Sequence, residues 1–209
     1  MTALRWLVLV LSLAVTGYGL VAYFVLPPGS TVHPAMRAAY AEHPVRILLH
    51  VAGSAVALAL GPLQFFPALR RRVGLHRALG FAYFAGVLVG GTAGLATAAI
   101  AYGGLVARVG FAGLAVAWLA SGAAALAAAR RRDWTAHETW ALRGFALTFA
   151  AVTLRLQMGA FSAAGLAFDD FYPVVAWLCW VPNLVFVEWV LLRGARRAPG
   201  DRPPPRQAA

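Results

Sequence analysis

The chain has 209 residues, of which 61% are hydrophobic and 12% charged, with a mean hydropathy of +0.72. These proportions exclude an ordinary soluble domain, and the length suits a single domain. Every one of the 18 basic residues is arginine and the net charge is +11. The arginines stand at the ends of apolar runs, so the expected partner is a lipid bilayer and not nucleic acid.

In chain order, apolar runs cover about 6–26, 45–67, 77–102, 109–129, 139–159 and 171–192. Each is close to the ~20 residues that a spanning helix needs. The first is read as a retained helix, because no small-x-small cleavage site precedes Pro27-Pro28. The longest connection, Pro27 to Pro44, holds His33 and His43, both expected to be solvated. Gly86, Gly90 and Gly94 recur at four-residue spacing in the third run, a pattern that lets another backbone approach. Cys179 is the only cysteine, which excludes an intramolecular disulfide and a thiolate metal site.

Arg5, Arg70–Arg72, Arg77, Arg130–Arg132 and the arginines from Arg193 onward fall on one side if six helices alternate. The other side holds Arg37, Arg46 and Arg108, with Glu42, Asp169 and Asp170. The bias of positive charge toward cytoplasmic loops puts both termini in the cytoplasm, as expected in a bacterial inner membrane. Residues 1–198 are expected to form the six-helix transmembrane domain. Residues 199–209, rich in proline and arginine, are expected to be a disordered cytoplasmic tail.

Two stretches nearly repeat. Arg70-Arg71-Arg72 is followed by His76, and Arg130-Arg131-Arg132 by His137. Each triplet ends one apolar run and each histidine opens the next. The expected fold is therefore an all-α membrane protein of six helices, with helices two to five a four-helix core built as two parallel helix-pair repeats.

Polar side chains are costly in lipid and need a partner or a purpose. His137, Gly144, Thr148 and Arg155 share one face of the fifth helix, and His76, Gly80 and Tyr83 one face of the third. The small residue beyond each histidine leaves room for something flat. At the opposite end His50 and Arg155 match in depth, and Asp169, Asp170 or Glu42 could pair the arginine. Arg143 and Glu188 match in depth as a structural ion pair. Trp177, Trp180 and Trp189 read as packing or interface aromatics, and Gln64 as a partner for backbone freed by Pro62.

A longer pattern joins these residues: His50, Gly61-Pro62-Leu63-Gln64-Phe65, Leu69 to Arg72, His76-Arg77, Gly80, Gly110-Phe111, Trp118, His137, Ala146 to Arg155, and Trp180-Val181-Pro182-Asn183-Leu184. From about Ile47 to Trp189 it resembles the bacterial predicted membrane proteins grouped as domain of unknown function 2306. Glu138 stands where that pattern leads one to expect an arginine after the histidine. A more distant, architectural likeness is to the di-haem, ascorbate-oxidising cytochrome b superfamily. It implies ligand histidines paired between helices two and four and between three and five. The fourth run here has no histidine, which leaves one bis-histidine site.

The leading expectation is a redox role. One b-type haem would be held between helices three and five, its iron ligated by His76 and His137, with Arg77 and Arg70 toward its propionates. His50, Arg155 and Thr148 would form a separate polar site for a reductant or quinol, served by a membrane redox partner. The rival expectations are a carrier of small molecules, anions or protons, and a non-catalytic scaffold or assembly protein.

Overall fold

The computed structural model describes residues 2–27 and 29–196, and the tail expected over 199–209 lies outside them. Among the described residues the regular structure is entirely helical. Six stretches are long and apolar enough to cross a membrane: Ala3–Val25, Pro44–Phe65, Val73–Ala98, Gly104–Arg130, Trp134–Ala163 and Phe168–Leu191. A bilayer offers backbone groups no hydrogen-bond partner, so apolar chain of this length closes its own bonds as helix.

The helices are α1 (Thr2–Leu20), α2 (Arg37–Glu42), α3 (Pro44–Leu60), α4 (Pro67–Arg70) and α5 (Val73–Ala98). They continue as α6 (Gly104–Arg130), α7 (Trp134–Thr148), α8 (Ala150–Ala163), α9 (Phe168–Leu178) and α10 (Val181–Arg196). The fifth span is α7 plus α8, and the sixth α9 plus α10. Span five begins earlier and ends later than its apolar run suggests. The Asp133 carboxylate accepts from the Ala136 amide and caps α7 well before the apolar residues start.

Short connections force neighbouring spans to run antiparallel. The turn between spans three and four needs two left-handed residues, and Gly103 (φ 87°) and Gly104 (φ 69°) supply them. The most extensive packing is α3 on α5, then α6 on α7, with α5 on α6 and α3 on α7 closing a ring. Spans two to five are thus a core of two helical hairpins. Span one lies against α3, and span six against α6 and α7. In the first hairpin a side chain on Gly53 would meet the backbone of Gly86 and Gly90, so these glycines permit close helix contact.

Spans five and six are each interrupted at mid-length, at Phe149 and at Cys179-Trp180. Asn183 joins the two breaks. Its amide donates to the carbonyls of Ala146 (3.3 Å) and Cys179 (3.1 Å) and to Thr153 Oγ1 (2.9 Å). Interrupted helices survive in a membrane where a side chain satisfies the freed backbone, as here.

Candidate functional site

One end of the bundle carries the arginine triplets; the other is arginine-poor. His76 and His137 occupy matching places at the arginine-rich end. Each is the fourth residue of its helix, α5 or α7, and bonds its amide back to Arg72 or Asp133. The His137 Nδ1–H donates to the Ala125 carbonyl at 2.9 Å, which leaves Nε2 as the free nitrogen. His76 Nδ1 is buried without a partner. Arg70 is bonded to Glu138 at 2.7 Å, across from one corner to the other, and Arg77 is exposed. The expectation turns Arg70 toward an anion at the histidine pair; here one of its nitrogens bonds a half-exposed carboxylate.

Two other expectations for this end need correcting. Gly144 leaves no open slot, because the Tyr83 hydroxyl and Ser121 Cβ both lie 3.7 Å from where its side chain would begin. Gln64 does not serve the backbone freed by Pro62 through its amide, whose Nε2 is buried and unpartnered.

Thr148 sits at mid-bundle and is 5% exposed. Its hydroxyl donates to the Gly144 carbonyl (2.9 Å), accepts from Trp118 Nε1 (2.8 Å) and bonds Tyr83 Oη (2.7 Å). That knot, which ties spans three, four and five, is the floor of a cavity of about 930 Å³ opening at the arginine-poor end. His50, Arg155 and Thr148 all line it, and His76 and His137 do not.

His50 is fixed by its surroundings. Its ring lies against Gly94, where any side chain would collide with Nδ1 and Cε1, so this glycine seats an imidazole rather than a helix. Nδ1–H donates to the Gly90 carbonyl at 2.8 Å, and a carbonyl can only accept, so Nε2 is the free nitrogen. Arg155 is held differently. Its Nη1 donates to the Ala151 carbonyl of its own helix at 2.9 Å, and its guanidinium lies 5.7 Å from the Tyr18 ring centre. Its Nε is buried and unpartnered. Among the described residues no carboxylate lies within ion-pair distance of it. Asp169 accepts instead from the Tyr102 hydroxyl, at 2.6 Å.

Loops complete the site in ways their sequence did not signal. His33 is stacked on Phe168 with ring centres 4.0 Å apart, at the cavity mouth, and Tyr40 bonds the Tyr23 hydroxyl at 3.1 Å. Burial first, and then Tyr23 beside it, push the Tyr40 phenol well above the ordinary tyrosine value. Thr16 of α1 adds a buried, unpartnered hydroxyl to the wall. Away from the cavity, Arg143 and Glu188 form a two-pronged ion pair (2.5 and 2.9 Å), with Trp140 4.5 Å from the guanidinium. Trp177 Nε1 donates to the Val106 carbonyl, and Trp189 stacks under Arg193.

Six spans around a four-helix core, with buried polar groups turned inward, define an all-α multi-pass membrane protein. The profile of the family described as predicted membrane protein (DUF2306) matches residues 47–191. The chain belongs to that family, and the match takes in all but the first three residues of the four-helix core, with the floor, His50 and Arg155 of the cavity. No curated protein and no solved structure matches the chain.

Proposed function

We propose that this protein is a carrier of organic acids, in a bacterial plasma membrane with both termini cytoplasmic and the cavity open to the outside. One observation carries the reading. Arg155 is a partly buried guanidinium inside a span, about 12 Å in from the end at Ala163, and among the described residues its only protein hydrogen bond is to its own helix. A scaffold arginine would hydrogen-bond across helices; among the described residues this one does not, and its contact with another helix is the Tyr18 ring. A buried cation without a counter-charge is costly, and an anionic ligand removes that cost. Two interrupted spans meet at the cavity floor, through Thr148 and Cys179, and such breaks beside a central site are a recurring feature of carriers.

Uptake of radiolabelled organic acids into proteoliposomes is the test. Arg155→Gln should fold, melt within a few degrees of wild type and lose transport. Arg155→Lys should rescue only part of it, since lysine lacks the planar fork. A destabilised mutant with full transport per folded molecule would overturn the reading.

A redox role is the second reading, favoured by the free nitrogen on each of His76 and His137. Those two nitrogens fit a bis-histidine iron in donor chemistry, and a haem b there would supply one-electron transfer. His76→Ala and His137→Ala should then each abolish the Soret absorbance of protein made in haem-replete cells, and the double mutant should lose no more. A colourless, folded wild type would end this reading and leave the carrier untouched.

A further inference from the structure

The cavity specifies more than a charge. We propose that its ligand is a long-chain monocarboxylate taken from the outer leaflet, with the carboxylate on Arg155 and the chain running inward to Trp118; this rests on Arg155 being the anion site.

The head group follows from the guanidinium. Nη1 is committed to the Ala151 carbonyl, so the remaining Nε–Nη2 edge presents two parallel N–H groups, the spacing a carboxylate matches. Nε is buried and unpaired, and that edge is the one left to satisfy. A quinol is neutral and would leave the buried cation uncompensated. A phosphate monoester carries about −1.5 to −2 charges at neutral pH, more than Arg155 alone balances, and Arg108, the other arginine of the lining, bonds the Ala101 carbonyl near the mouth.

The body follows from the walls. Thr148 lies seven residues toward the bundle centre from Arg155, about 10 Å along the helix, so the first half of a long chain reaches the floor and the rest folds back within the cavity. The space between is lined by Leu114, Trp118, Leu147, Leu154 and Cys179. A short acid would fill the head site and leave this apolar depth to water. The volume of about 930 Å³ lies near the top of the ~300–1,000 Å³ range of small-molecule pockets.

The route follows from Tyr18. This side chain is 52% exposed on the outer surface of α1, yet it also lines the cavity and covers the Arg155 guanidinium. A single aromatic ring thus stands between the bilayer and the cation, and α1 meets α8 over only a small area. An amphiphile moving sideways out of the leaflet would pass Tyr18 on its way to Arg155.

The experiment uses the full chain in nanodiscs, with dibromostearate as a quencher of tryptophan fluorescence. Saturable quenching is expected, displaced by oleate and missing with the methyl ester of dibromostearate. Trp118→Phe should remove most of the quenching. Arg155→Gln should weaken binding at least tenfold, with Arg155→Lys in between as a check against misfolding. Displacement by butyrate as effective as by oleate, and equally dependent on Arg155, would overturn the long-chain proposal while leaving the anion site standing. Quenching unaltered in both Arg155 variants, or equal for acid and ester, would overturn the anion site and the proposal together. Full quenching in folded Trp118→Phe would overturn the placement of the chain.

Discussion

Glycine 94 shows how little a residue type says about its use. In sequence it is the third member of a helix-packing stripe with Gly86 and Gly90, yet only those two meet another backbone. Gly94 makes room for the His50 ring. Gly94→Ala should therefore displace the imidazole and weaken ligand binding more than Gly74→Ala, a position with open space around it; a melt and a binding titration on both variants separate the two effects. The Arg143–Glu188 pair is partly exposed, so Glu188→Gln should cost only about 1 kcal/mol, read as a modest drop in melting temperature with binding unchanged. Tyr102 gives a pH signature. Its hydrogen bond to Asp169, ahead of a smaller effect of burial, raises its phenol above the ordinary 10.0. The phenol's contribution to the link is therefore fully present below pH 10 and lost as pH climbs through the raised value. Absorbance titration near 295 nm should show a late-ionising phenol that Tyr102→Phe removes.

At the scale of elements, what could be read in the chain was what is local. Six apolar runs, the arginine triplets and the equivalent corners at His76 and His137 all depend on residues close in sequence. The break in span six had a signal in Pro182, one residue before Asn183. The break in span five had none. No proline or glycine stands at Phe149, and the interruption exists because Asn183 from another helix accepts the cost of the freed carbonyls. Asn183→Leu keeps the volume and removes the donor, leaving Ala146 and Cys179 carbonyls unpaired. It should lower stability by about 1–3 kcal/mol, measured by chemical unfolding in mixed micelles, whereas Asn183→Gln should retain part of it. The polar residues of the candidate site were legible as a list, since His50, Thr148 and Arg155 are conspicuous in apolar helices. Their environment was not. That Arg155 meets no acid, and that Tyr18 of the first span covers it, depend on how distant helices are placed.

For the molecule as a whole, charge asymmetry and the cavity make one joint statement about direction. The arginine-rich end should face the cytoplasm, which puts the mouth at His33 and Phe168 outside. Reporter fusions after Arg72 and Arg132 should read cytoplasmic, and fusions near Met36, Gly104 and Ala164 external; a consistent reversal at any one loop would sink the six-span arrangement. The same asymmetry bears on the two histidine corners. Arg70 and Glu138 join them across the two hairpins, but both side chains are about half exposed, so the link is weak and sensitive to salt.

The Asn183 amide has two protons and faces three acceptors on two spans. During synthesis the fifth span reaches the bilayer before the sixth, and until Asn183 follows it the Ala146 carbonyl has no donor. The fifth span should then be a poor resident of the membrane by itself, held at the translocon or by an insertase until its successor emerges. The last span is in this sense an internal chaperone for the one before it, and a ribosome stalled short of Asn183 should leave a nascent chain that crosslinks to the insertion machinery for longer than one stalled just beyond it.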